Sequence, residues 1–253
     1  MRRLAIFVEG YTELLFTDRI ITEIASKNQI AIEHQQIRGG GRSGKHAKKI
    51  KILTAPLETQ EKKLYVLIVD CGNDGLVAQR IREEHASLTA KGYEKIVGLR
   101  DVYPEFTKGD VLKLRRAMYY GIETSLAPVK FILSVMEIEA WFLAEHKHFP
   151  LVDPAITVDE IRRQLGFDPE FDDMSDRLTP RIDLEAAYMI GGKAYEKGNA
   201  DCTINKLDCE YMYTDLKSRI PDLAELISTI DHFLTNPEIL GDPIERAQQR
   251  CQE

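Results

Sequence analysis

The chain has 253 residues, 43% of them hydrophobic and 30% charged, and a net charge of −7 at pH 7. That length can bury a sizeable core as one large domain or two small ones, and the acidic balance argues against a dedicated, nonspecific nucleic-acid binder, which is usually basic. No stretch approaches the ~20 apolar residues of a membrane span. Met1-Arg2-Arg3 enters a strand without the apolar core of a signal peptide. Cys71, Cys202, Cys209 and Cys251 show neither C-x-x-C spacing nor disulfide density. The expectation is a cytoplasmic protein with no membrane association.

Leu4–Val8 is a near-continuous apolar run ended by Glu9 and Gly10, which predicts a short buried strand. Glu13 then opens a helical pattern over Glu13–Ser26, in which Leu14, Leu15, Ile20, Ile21 and Ile24 face a core. Two carboxylates brought within 4 Å of each other repel by ~4 kcal/mol at an effective dielectric of 20. A divalent cation is the simplest way to remove that cost, and strand tips are where open α/β sheets place their chemistry. The pair is equally compatible with a solvated Glu9 and a Glu13 that only favours the helix N-terminus.

Ile30–Ile37 reads as a second strand, followed by the basic glycine loop from Arg38 to Lys51 and a helix expected over Lys45–Thr54. Gly39 to Lys45 formally satisfies G-x-x-x-x-G-K. His46, however, stands where a nucleotide-binding loop needs Ser or Thr, and the segment follows the second strand rather than the first. Contact with a nucleic-acid backbone through Arg38, Arg42, Lys45 and Lys48 is one reading, and a solvated basic helix face is another.

Leu64–Asp70 predicts a buried strand that delivers Asp70 to the same edge as Glu9. Asp74 either joins it there or caps the helix expected over Leu76–Ala90. A strand over Lys95–Leu99, a helix over Lys108–Thr124 and a strand over Val129–Val135 follow. Glu137 and Glu139 come next, beside the only tryptophan, Trp141. A pair at i, i+2 points apart in either regular structure, so at most one of them reaches a shared site. Ligation by two or three carboxylates suits Mg²⁺ or Mn²⁺. His146 and His148 read as surface. Beyond Pro150 and Pro154 the apolar spacing is helical, interrupted by the loop Gly191–Gly198, which carries Lys193 and Lys197. A lysine brought near a metal site stabilises developing phosphorane charge; otherwise this is a surface loop. The predicted fold is α/β, with a mainly parallel sheet flanked by helices over residues 1–149 and a helical C-terminal region over 150–253.

With these acidic strand tips assembled, the chain resembles the TOPRIM fold, a Rossmann-like domain shared by topoisomerases, primases and overcoming-lysogenization-defect nucleases. Glu9 matches the acid after the family's first strand, Glu13 looks like the second acid four positions on, and Asp70 matches the first Asp of its D-x-D. The second position of that motif is Gly72 here, with Asp74 two residues later. More closely, the chain is similar to a bacterial TOPRIM-like family often encoded beside ABC-type ATPases in anti-phage loci. Val8-Glu9-Gly10-Tyr11-Thr12-Glu13, the Gly39–Gly41 loop with Lys45, Glu137-Ile138-Glu139-Ala140 and Tyr195-Glu196-Lys197 carry that similarity, which spans roughly residues 4 to 235.

The resemblance implies a Mg²⁺- or Mn²⁺-dependent nuclease that hydrolyses DNA or RNA in anti-phage defence, with an ABC-type ATPase partner and a possible homo-oligomer. Its metal ligands would come from Glu9, Glu13, Asp70, Asp74, Glu137 and Glu139, and Glu9, Asp70 and Lys197 would be catalytic. Two other readings stand beside it: a non-catalytic TOPRIM-like regulatory or binding subunit of an ATPase-containing complex, and a nucleotide-handling enzyme using Gly39–Lys45.

Overall fold

The structure, a computed structural model, describes residues 1–25, 30–40, 47–56 and 62–235, without the side chain of Asp74. In chain order the first half runs β1 (Arg2–Val8), α1 (Tyr11–Ala25), β2 (Ile30–Arg38), β3 (Lys49–Thr54), β4 (Leu64–Asp70), α2 (Val77–Ala90), β5 (Tyr93–Asp101), α3 (Val111–Tyr119) and β6 (Val129–Ser134). The second half is helical: α4 (Glu139–Ala144), α5 (Phe149–Val152), α6 (Val158–Leu165), α7 (Pro180–Ile190), α8 (Asp201–Ile204), α9 (Cys209–Thr214) and α10 (Pro221–Thr235). Among the described residues the strands form one six-stranded sheet in the order β3-β2-β4-β1-β5-β6. Every pairing is parallel except β2 with β3. This is a Rossmann-like α/β arrangement, and none of its described helices is long and apolar enough to cross a membrane.

The sheet has helices on both faces, which is why its central strands are apolar throughout rather than alternating. Every residue of β4 is buried. Leu4, Ile6 and Val8 of β1 share one core with Leu14, Phe16, Ile20 and Ile21 of α1. Ala5 and Phe7 point the other way, into a second core with Val77, Ala78 and Ile81 of α2 and Leu114 and Met118 of α3. The first core runs on without interruption into Trp141, Phe142, Leu184, Met212, Leu223, Leu226 and Ile230. The C-terminal helices are therefore the covering layer of one sheet face, and the sequence boundary near residue 149 falls within a shared core.

Two local expectations are corrected. In place of a helix over Lys45–Thr54, residues Lys49–Thr54 form β3, antiparallel to β2 from Arg38↔Lys49 to His34↔Thr54. Lys49-Ile50-Lys51-Ile52 alternates with period two and is rich in β-branched residues, so an extended edge strand outcompetes the helix. His148 is fully buried rather than on the surface. Its Nδ1 lies 2.5 Å from the carbonyl of Glu145 and 3.3 Å from that residue's carboxylate.

The carboxyl ends of the parallel strands converge on one edge. Here the chain leaves β1 through Glu9 and Gly10, β4 through Cys71 and Gly72, β5 through Val102, and β6 through Val135 and Met136. Cys71 N donates to the Val8 carbonyl (2.9 Å) and Gly72 N to that of Glu9 (2.8 Å), which carries the β1–β4 ladder past both strand ends. Met136 adopts a left-handed conformation (φ 68°). Its carbonyl is held by Tyr103 N at 2.8 Å. The turn it creates points the next residues back over the sheet edge.

Candidate metal centre

Glu9, Glu13 and Asp101 each offer a carboxylate oxygen, and these oxygens lie within 4.8 Å of one another. All three residues are buried, at 3%, 1% and 2% exposure. Glu9 leaves the tip of β1, and its Oε1 accepts the backbone N–H of Asp101. Glu13 stands on the inward face of α1, in its first turn. Gly10 makes room for it, because a Cβ at that position would sit 3.2 Å from Glu13 Oε2. Asp101 ends β5 and continues the alternation of Val97 and Leu99, so it faces the same core as α1.

Glu139 and Lys197 complete the centre. The Lys197 ammonium lies 3.1 Å from Asp101 Oδ2, 3.4 Å from Glu13 Oε1 and 3.8 Å from Glu139 Oε2. About a third of its side chain reaches solvent. Its loop is tied to α1 by the Thr12 hydroxyl, which donates to the Lys197 carbonyl. Tyr195, two residues earlier, donates its hydroxyl to Glu139 Oε1 at 2.9 Å. Ile138 N donates to Asp101 Oδ1 at 3.0 Å, fastening the β6–α4 turn to β5.

Four buried carboxylates therefore surround one ammonium, and the titration of the group reflects that imbalance. Burial raises the Asp101 carboxyl well above its usual range. Lys197 opposes the shift, while Glu13 and Glu139 add to it. Burial likewise lifts Glu139 to about 7, against Lys197 and with Glu13 and Glu137. Burial disfavours the Lys197 ammonium, but Asp101, Glu13, Glu139 and Glu9 outweigh it and hold the lysine above its usual value. Both oxygens of Glu13 and Oε2 of Glu139 are buried with no hydrogen-bond partner among the described residues. An all-oxygen donor set with orphaned buried carboxylate oxygens fits a hard divalent cation such as Mg²⁺ or Mn²⁺.

A linkage prediction follows from the raised carboxyls. Without a cation the native centre retains protons that the unfolded chain has lost, so stability is fully present below the ordinary carboxylate range and is lost as pH rises through about 7. Cation binding must displace those protons, so Mn²⁺ affinity should increase across the same window. Thermal melts of metal-free protein between about pH 6 and 8, together with calorimetric Mn²⁺ titrations in buffers of different ionisation enthalpy, read both effects. A pH-independent affinity without proton release would contradict the linkage.

No protein-family model matches the chain, and no curated protein matches it. The remaining residues singled out from sequence take the following places. Glu137, buried beside Glu139, accepts the Arg181 backbone N–H at 3.0 Å, in the first turn of α7. Asp70 reaches its strand tip, but its carboxylate is taken by Arg38, Gln36 and Gly72 N. Asp74 opens a short 3-10 turn, and its side chain lies outside the described residues. Arg42 and Lys45 also lie outside them. Lys48 pairs with Glu83, at 3.5 Å, and with Glu84, both on α2.

Asp101 was not among the residues that sequence reasoning selected. The expected strand stopped at Leu99 because Arg100 breaks the apolar run. Arg100 is nonetheless buried, paired with Glu105 and set 5.4 Å from the Phe106 ring centroid. The usable signal was a further strand ending in an acid, one residue beyond that charge.

Proposed function

We propose that the chain is a divalent-cation-dependent TOPRIM-type nuclease that hydrolyses phosphodiester bonds in DNA or RNA. The observation that carries this reading is the buried Glu9–Glu13–Asp101 group, with Glu139 alongside and Lys197 as its sole close ammonium among the described residues. Glu9, Glu13 and Asp101, with Glu139 at the side, would hold Mg²⁺ or Mn²⁺. Cations bound there supply Lewis acidity and a lowered pKa for water.

The chain's own groups have separate tasks. Lys197 is held so firmly protonated that it serves as a fixed positive charge for the phosphoryl oxygens, not as a proton carrier. Asp101 aims the ammonium, and Thr12 anchors the backbone behind it. Tyr195 fixes one oxygen of Glu139 and leaves the other directed at the centre. A cavity of about 490 Å³ shares the Tyr195 wall and presents Lys193, Asn199 and Lys206, offering room for polar parts of a substrate.

End-labelled DNA and RNA incubated with purified protein and Mg²⁺ or Mn²⁺ should be cleaved, and EDTA should stop the reaction. One feature favours the alternative of a non-catalytic subunit in an ATPase-containing complex: Lys197 already lies within ion-pair distance of three of the four carboxylates, as in a purely structural cluster. Absence of both cleavage and measurable Mn²⁺ affinity would decide for that alternative.

A further inference from the structure

We propose that Asp70 is a positioning residue that holds the Arg38 guanidinium as a grip for a nucleic-acid phosphate, rather than a ligand of the cation centre. The proposal rests on the nuclease reading and adds where the strand runs. Asp70 is completely buried, and each of its oxygens accepts two hydrogen bonds. Oδ1 takes Arg38 Nη1 (3.1 Å) and Gly72 N (2.8 Å); Oδ2 takes Arg38 Nη2 (2.9 Å) and Gln36 Nε2 (2.8 Å). An ionised carboxylate has about four acceptor sites, so none is left for a metal.

The arginine is held on one side only. Its Nη1 also donates to the Ile37 carbonyl at 3.1 Å, so the Nη1/Nη2 end of the group is committed to the protein. The Nε–H and the second Nη2–H lie side by side on the other edge, where no described residue accepts from them, and half of the side chain is exposed. That edge is a planar two-donor fork of the kind that fits a phosphate.

The surroundings are shaped to keep it there. Gly72 has φ 91°, and a Cβ on it would lie 2.7 Å from Arg38 Nη1, so the glycine that replaces an acid in the D-x-D position is what admits the guanidinium. The turn after Arg38 is pinned from behind by the fully buried Arg80, which donates to the Gly39 carbonyl. A Cβ on Gly40 would meet Lys48 Cβ at 2.8 Å. Gln36 and Val8 are both register partners of Asp70, which puts β4 between β2 and β1. Arg38 thus stands on the same sheet edge as Glu9, two strand spacings or roughly 10 Å away. A nucleic-acid strand running along the edge would place one phosphate at the acidic centre and a neighbouring one at Arg38.

The test is steady-state cleavage of a labelled oligonucleotide by the full chain, paired with Mn²⁺ binding followed by electron paramagnetic resonance. Arg38→Ala and Asp70→Asn should each raise KM about tenfold with kcat held within about twofold, and Arg38→Ala should flatten the log K against log salt slope by about 0.7. Mn²⁺ affinity should be unchanged in both. Arg38→Gln, which keeps much of the packing, serves if the alanine variant melts early. A tenfold loss of Mn²⁺ affinity in Asp70→Asn would make Asp70 a ligand and overturn the assignment. An unchanged KM in both arginine variants would overturn the grip while leaving the nuclease intact. A wild-type chain that neither binds Mn²⁺ nor cleaves would remove the nuclease reading and this proposal with it.

Discussion

Asp101→Asn should reduce metal-dependent cleavage by about 10²–10³-fold and weaken Mn²⁺ by about 10–100-fold, with only a small drop in the melting temperature of the metal-free protein. The substitution preserves volume and an oxygen for the Ile138 N–H. It removes the acid nearest to Lys197, at 3.1 Å, and one of the three carboxyl groups within 4.8 Å of one another. With its oxygen kept on Ile138 N, the new amide nitrogen faces the Lys197 ammonium donor to donor, so the metal-free protein should lose a little stability. Large losses of cleavage and Mn²⁺ affinity beside a small loss of stability separate a role in the centre from a folding defect. Single-turnover rates, Mn²⁺ titration and thermal melts on one preparation supply all three readings. Undiminished cleavage with intact Mn²⁺ affinity would show that the acids surrounding Lys197 are structural.

The largest stability effect is expected far from the solvent edge, at Asp222. Its Oδ2 accepts from Val135 N at 2.8 Å and from Trp141 Nε1 at 2.9 Å, joining the first turn of α10 to the β6–α4 turn. The residue is nearly inaccessible. Asp222→Ala leaves the buried Trp141 Nε1–H and the partly buried Val135 N–H without an acceptor, each costing up to ~1–3 kcal/mol, for a total of about 2–5 kcal/mol. That is a large share of the ~5–15 kcal/mol that stabilises a typical native fold. Burial raises the Asp222 carboxyl, against the two donors that favour its charge. Asp222→Asn keeps an acceptor and discards the buried charge, so it should lose much less. Urea unfolding followed through the single tryptophan compares the two directly. Equal losses for Ala and Asn would mean that charge, rather than the acceptor, is what the site needs.

The centre of the fold could be read from sequence wherever apolar runs were long and ended in an acid. Leu4–Val8 and Leu64–Asp70 announce themselves in this way, and Glu9, Glu13 and Glu139 reach the centre they suggested. Lys197, chosen for its glycine-flanked loop, arrives beside them. Elements governed by long-range partners were harder to see. β3 gains its identity from pairing with β2, which the lysine-rich composition concealed. Asp101 was hidden by Arg100, whose charge is neutralised by a residue that local periodicity does not reveal. Asp70 was selected for its position at a strand end, but the direction of its carboxylate depends on Arg38 and Gln36 from another strand, which no spacing rule encodes.

The placement of Lys197 has a consequence for how the chain comes alive. It joins Asp101 across a sequence separation of 96, carried by a segment whose helices also seal one face of the sheet. During synthesis every carboxylate of the centre is complete by residue 139, yet the charge that balances them emerges only some sixty residues later on any translating ribosome. Until then the acids lack their close ammonium, and the sheet face is covered by α1 and only part of the helical layer. A fragment ending near residue 149 should therefore be an aggregation-prone, unbalanced half rather than a minimal enzyme. The acidic centre acquires its balancing charge only once much of the helical layer has been made.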